Sequence, residues 1–203
     1  MNAVTRERRP EPGKHYTYAD YYTWNDGKRY ELIDGTAYLM EPTPLFGHQD
    51  VSMELSLQIG NYLKGKQGKV FAAPFDVRLN FDKGDNTVLQ PDIVAFADQS
   101  KLFGTGCIGA PDMVIEILSP STARRDRVKK FNQYLLAGVR EYWIVDPDEK
   151  TVNAYILENG VYVGRTYHET DEVPVFVLDG CVIKLSEVFE SVKRLHHEGG
   201  KTT

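Results

Sequence analysis

At 203 residues, with 41% hydrophobic and 26% charged side chains, the chain has the size and make-up of one globular domain with a sizeable core. A formal net charge of -5 and an isoelectric point near 5.6 exclude a broad basic footprint for nucleic acid, so any such role must rest on a local patch. No stretch reaches the roughly 18 apolar residues of a membrane span and the first residues carry no apolar leader, which points to a cytoplasmic protein without a membrane partner. The two cysteines, Cys107 and Cys181, lie far apart and outside any zinc spacing, and read as structural or incidental thiols.

Residues 1–14 and 191–203 are polar and without hydrophobic period, so flexible tails are expected around a single domain at 15–190. His196 and His197, in the second tail, read as solvated. Thr17 is placed to cap a short helix over Tyr18 to Trp24. Arg29 to Ile33 and Thr36 to Met40 flank Asp34-Gly35, the turn of a β-hairpin. From His48 to Leu63, the positions Val51, Leu55, Ile59 and Tyr62 recur at helical spacing, predicting an amphipathic helix laid on a sheet. Short strands are predicted at Val70 to Ala73, Phe75 to Asn80 and Thr87 to Ala97.

The run Gly104-Thr105-Gly106-Cys107-Ile108-Gly109 matches the glycine spacing of a dinucleotide-binding turn. Pro111 follows it, however, and the chain enters a strand where the motif needs a helix, so a flexible loop is the expectation. Serine-hydrolase, zincin and nucleotide-phosphate motifs are lacking. Met113 to Leu118 predicts a central strand; Ser119-Pro120-Ser121-Thr122 can start a helix that runs to about Ala137 and ends at Gly138. Strands at Glu141 to Val145, Thr151 to Leu157 and Val161 to His168 follow, the last two joined as a hairpin over Glu158-Asn159-Gly160. Tyr142 and Trp143 read as core. The order predicts a mixed α/β (α+β) domain: a mixed central sheet flanked by helices, with an N-terminal and a C-terminal β-hairpin.

Two acids stand inside apolar runs: Asp92 in Leu89 to Phe96, and Glu116 in Met113 to Leu118. A carboxylate in a dry strand is costly unless it is paired, hydrogen-bonded or bound to a cation. Alternation puts Val114, Glu116 and Leu118 on one face and Met113, Ile115 and Ile117 on the other, so both faces are apolar and the strand is central. Glu116 alone could be satisfied by an arginine or by backbone N–H groups. Two such acids favour a hard divalent cation, which takes one or two carboxylates plus waters, with a backbone carbonyl such as that of Ile117 completing the set.

The string Tyr30-Glu31-Leu32-Ile33-Asp34-Gly35, His48, Pro91-Asp92, Glu116-Ile117-Leu118-Ser119-Pro120-Ser121-Thr122, Asp126, Lys130, Tyr134, Gly138-Val139 and Glu141 to Pro147 resembles the bacterial Uma-two family, classed with the restriction endonucleases of the PD-(D/E)XK nuclease superfamily. The likeness spans about Thr17 to Val188, and its EILSPST and GVREYWIVDP blocks are the specific part. It implies a restriction-endonuclease-like fold and a metal-dependent DNA endonuclease using Mg²⁺ or Mn²⁺. Asp92 and Glu116 would be the catalytic acids and, with the Ile117 carbonyl, the metal ligands. The wider superfamily carries its lysine two residues after the second acid, where this chain has Leu118.

The resemblance assigns that lysine's role to Lys130, on the following helix, where Asp126, Lys130 and Tyr134 at i, i+4 and i+8 make one stripe, Asp126 and Tyr134 supporting it. From position alone Lys130 reads as a solvated helix-face charge, and Lys129 is as eligible as Lys130. Glu31 would lie at or near the metal, or be a hairpin-edge charge. His48, on the buried stripe of its helix, would be a core or capping histidine or touch a substrate phosphate or water. Arg124, Arg125 and Arg127, with Lys129 and Lys130, form the densest basic run and could meet DNA phosphates or coat a solvated helix face. The resemblance also implies a homodimer as one possibility. The alternative is a non-catalytic member of the fold that binds nucleic acid or protein. Alanine at Asp92 or Glu116 is expected to stop cleavage without loss of stability, since like charges are removed.

Overall fold

In the computed structural model, which describes residues 7–40, 46–119 and 125–190, the chain opens with a one-turn helix, α1 (Tyr18–Tyr21), whose first N–H groups are covered by a capping box between Thr17 and Asp20. Strands β1 (Tyr30–Ile33) and β2 (Thr36–Leu39) then pair across Asp34 and Gly35. Both turn residues have positive φ, 48° and 75°, the backbone of a type I′ turn that suits the twist of a hairpin. Helix α2 (Phe46–Leu63) follows, burying Val51, Leu55, Ile59 and Leu63. Tyr62 packs only at the margin of that stripe, because Leu63 completes the spacing of four.

Strands β3 (Lys69–Ala72), β4 (Asp76–Arg78), β5 (Val88–Leu89) and β6 (Ile93–Phe96) come next. The single strand expected over Thr87 to Ala97 is thus two strands in different sheets. Pro91 has no N–H to give a ladder, and the chain changes sheets across Gln90-Pro91-Asp92. The glycine-rich run expected as a loop folds instead into a hairpin of β7 (Leu102–Phe103) and β8 (Gly106–Ile108). Gly106 is required there, since a Cβ would lie 2.0 Å from the Asp76 carbonyl oxygen. No helix starts from this run, so it offers no dinucleotide turn.

Central strand β9 (Met113–Ile117) leads to a π-helical turn over Arg125–Lys130, then α3 (Phe131–Ala137). The expected start at Ser121 and Thr122 lies outside the described residues, as does Arg124; the side chains of Arg125 and Asp126 and the tail with His196 and His197 are likewise outside. The chain closes with β10 (Glu141–Asp146), β11 (Thr151–Glu158), β12 (Val161–His168), β13 (Glu172–Pro174), β14 (Val182–Lys184) and α4 (Leu185–Val188).

One mixed sheet runs β12-β11-β10-β9-β6-β3, with β9 and β10 parallel; a second runs β2-β1-β5-β4-β8-β7, and β13 and β14 make a small third. Met113, Ile115 and Ile117 pack with the α2 stripe, α4 and β14. Val114 and Leu118 pack on the other face with α3 and with Val77 and Leu89 of the second sheet. Central β9 is therefore covered on both sides, as its two apolar faces require. Tyr142 and Trp143 are fully buried core residues.

A further acid, Glu141, is also wholly buried, but it serves the fold: Trp143 Nε1 and the Val177 N–H donate to its two oxygens at 2.8 and 3.0 Å. Burial pushes its carboxyl above the ordinary 4.5, partly offset by these hydrogen bonds. A carboxyl whose folded pKa is raised contributes stability fully below its ordinary value, and that contribution is lost as pH rises through the raised one. Urea denaturation of wild type and Glu141→Gln from pH 4.5 upward should show wild type losing ground to the variant as pH rises. A constant difference would refute the assignment.

Candidate active site

The β6–β9 ladder pairs Ile93 with Ile115, Val94 with Val114 and Ala95 with Met113. Continued by one step, that register sets Asp92 opposite Glu116, and directly opposed residues of an antiparallel pair point to the same face. The two acids therefore share the end of the central sheet. Where β6 stops, the Asp92 side chain replaces the missing ladder partner: Ile117 N–H donates to its Oδ2 at 2.7 Å, and its own carbonyl receives the Ala73 N–H at 2.9 Å. His48, near the start of α2, brings Nε2 to 3.3 Å from the same Oδ2. Both side-chain contacts fall on Oδ2, so Oδ1 receives no hydrogen bond from a described residue.

Behind this lies a drier layer. Glu31, Glu116 and Lys130 are 1%, 2% and 4% exposed. The Lys130 ammonium stands 2.8 Å from Glu31 Oε1 and 2.9 Å from Glu116 Oε1, bridging two acids from different sheets. Tyr134, one helical turn on, donates its hydroxyl to Glu116 Oε1 at 2.6 Å. Burial first, and then the charge of Glu116, push the Tyr134 hydroxyl well above its ordinary pKa, so it remains a donor at every physiological pH. The Gln90 N–H donates to Glu31 Oε1 at 3.1 Å, coupling Glu31 to the residue two before Asp92.

The structure thus brings Asp92, Glu116, Lys130, Tyr134, Glu31 and His48 to one end of the fold. Lys130 and Lys129 are separated in it: Lys130 turns inward, while Lys129 is exposed and donates to the Tyr38 hydroxyl at 2.5 Å. Glu31 is no hairpin-edge charge, since β1 lies between β2 and β5 and the Glu31 side chain is buried against Lys130. Leu118, in the place where the superfamily has its lysine, packs in the core on the face of Glu116. Arg127 turns its guanidinium to Asp146 at 3.1 Å, and the Lys130 ammonium is shared by Glu31 and Glu116, so the basic run presents less free charge than its sequence suggests.

One expectation needs revision. Alanine at Glu116 would not spare stability, because Glu116 anchors a buried ammonium and a buried hydroxyl, and removing one partner of such a set leaves the others desolvated. Two residues went unnoticed in the sequence. Gln90 is itself a polar residue in an apolar run. Tyr38 follows from the two-residue turn, which sets it opposite Glu31 in the hairpin.

Among the described residues no three His, Cys, Asp or Glu side chains form a cage for a metal ion. The donor set fits a different kind of site. The donors fall into two groups: the Glu31 and Glu116 carboxylates share the Lys130 ammonium, while Asp92 is held by His48 and the Ile117 N–H and keeps Oδ1 clear of hydrogen bonds from the described residues. One or two carboxylates, with the remaining positions left to water and substrate oxygens, is the arrangement Mg²⁺ favours.

A protein of Synechocystis sp., slr1290, is 31% identical over 158 residues, which is 76% of this chain and 81% of the relative. A crystal structure titled as a "putative nuclease belonging to DUF820" from Anabaena variabilis superposes with a TM-score of 0.70 at 22% identity, covering 86% of this chain and 98% of that one, a likeness of fold. Residues 17–185 match the family model described as "Putative restriction endonuclease", and the chain belongs to that family, Uma-two.

Proposed function

We propose that the protein is a divalent-metal-dependent DNA endonuclease that hydrolyses phosphodiester bonds. The observation that carries this is the β6–β9 register, whose continuation by one step sets Asp92 opposite Glu116, with Lys130 of the following helical segment set on Glu116 at 2.9 Å. Family membership and fold support the nuclease class. DNA as substrate and Mg²⁺ or Mn²⁺ as cofactor belong to this proposal.

In this reading Asp92, Glu116 and the Ile117 carbonyl would hold the cation, which when bound would supply polarisation of the scissile phosphodiester and a lowered pKa for the attacking water. His48 and the Ile117 N–H fix the Asp92 carboxylate from the Oδ2 side, so its orientation is set before substrate arrives. Glu31 and Tyr134 hold Lys130 and Glu116 in register. The Lys130 ammonium supplies fixed positive charge to offset the charge that grows on the phosphate as water adds and the P–O bond to the leaving oxygen breaks. It substitutes for a lysine at position 118 because a side chain from the neighbouring helix reaches the same carboxylate.

The test is to incubate supercoiled plasmid, single-stranded DNA and bis(p-nitrophenyl) phosphate with the protein and Mg²⁺, Mn²⁺ or EDTA. Nicking or linearisation that needs a cation and stops with EDTA is the expected result. Cleavage of the small ester alone would assign a small-phosphoester hydrolase, and no cleavage with either cation would favour a binding module of the same fold.

A further inference from the structure

The acidic centre repels the polyanion it is proposed to cut, so a cation at its rim has to offset that field. Of the basic run, Arg127 is neutralised by Asp146 and Lys130 is buried between Glu31 and Glu116. Lys129 differs from both. It is exposed, and its described partner is a neutral residue: its ammonium is bonded to the Tyr38 hydroxyl at 2.5 Å and lies 4.5 Å from the centre of that ring.

Tyr38 is Glu31's direct partner in the β1–β2 hairpin, so the two side chains share a face, and Lys129 is the chain neighbour of Lys130. The pair therefore forms an outer layer over the buried Glu31–Lys130 layer. Its position is braced by Gln133 Nε2, which donates to Asp34 Oδ2 at 2.8 Å and ties α3 to the hairpin turn. An ammonium with no acidic partner among the described residues, beside a hydroxyl, both held on the hairpin and helical segment that enclose the acids, is a donor set for one phosphate oxygen.

We propose that Lys129 and Tyr38 form the clamp that grips the DNA backbone beside the reacting phosphodiester. This rests on the nuclease reading for its purpose, but it is tested by binding, which needs no cleavage.

The experiment measures anisotropy of a labelled duplex in EDTA across a salt series, for wild type, Lys129→Ala, Lys129→Arg, Tyr38→Phe and Lys184→Ala. Lys184, on β14, is the control for loss of one charge. A phosphate contact adds about 0.9 to the slope of log affinity against log salt. Lys129→Ala should therefore lower the slope by about 1 and weaken binding several-fold on any sequence. Lys129→Arg should restore the slope, Tyr38→Phe should weaken binding less than Lys129→Ala, and Lys184→Ala should match wild type. A Lys129→Ala slope equal to wild type, an equal loss in Lys184→Ala, or no binding by wild type would overturn the clamp. If wild type binds with these slopes yet cuts nothing with Mg²⁺ or Mn²⁺, the clamp stands and the nuclease reading fails. Cleavage with an unchanged Lys129→Ala slope is the converse.

Discussion

Asp92→Asn is expected to lower plasmid cleavage in saturating Mg²⁺ about a thousandfold, several kcal/mol of transition-state stabilisation, while unfolding shifts by less than about 1 kcal/mol. The asymmetry comes from how Asp92 is held. An asparagine carbonyl can still accept the Ile117 N–H that closes the sheet edge, and the lost attraction to His48 is that of a partly exposed pair, with 12% and 21% of the side chains accessible. What the amide cannot supply is the second anionic oxygen. The measurement is a single-turnover plasmid assay beside urea denaturation of the same preparation. Full activity of Asp92→Asn in Mg²⁺ would remove Asp92 from the metal site and with it the proposed chemistry.

Lys130→Met is expected to act on both quantities. Methionine keeps most of the volume, but Glu31 and Glu116 lose the ammonium 2.8 and 2.9 Å away in a region that is nearly dry. Breaking a buried charge set by removing one partner costs about 3–5 kcal/mol, and cleavage should fall about a hundredfold or more, since fixed charge at the reacting phosphate is lost. Urea denaturation at pH 8 reads the stability loss directly. Glu31→Gln in the Lys130→Met background should recover part of the lost stability and none of the activity. A Lys130→Met protein as stable as wild type at pH 8 would show that the ammonium is not the counter-charge of the two acids, and full activity in that variant would remove Lys130 from the proposed chemistry.

Much of the architecture was legible in the chain because its determinants are local. Asp34-Gly35 and Asn159-Gly160 specify two hairpins through turn backbone that few other pairs adopt readily, with φ of 50° and 82° at the second pair. The spacing of Val51, Leu55 and Ile59 specifies a helix on a sheet, and the two apolar faces around Glu116 specify a central strand. The hairpin at β7 and β8 was missed because its strands are only two and three residues long and its glycines mask any alternation. The split of Thr87 to Ala97 into two strands was missed because apolar continuity carries no information on which sheet each half joins.

The acids themselves were found by local physics: a carboxylate in a dry run needs compensation wherever the chain goes, so Asp92 and Glu116 stood out in the sequence by itself. The identity of the compensating groups is a matter of distances across many residues of chain. Lys130 and Lys129 are indistinguishable as letters, and only the π-helical turn of Arg125–Lys130 against the second sheet turns one inward to Glu31 and Glu116 and the other outward to Tyr38. Local composition determines which groups must be paired; packing between separate elements decides with what, because a charge buried in a protein is satisfied by whichever partner the tertiary fold brings within hydrogen-bonding distance.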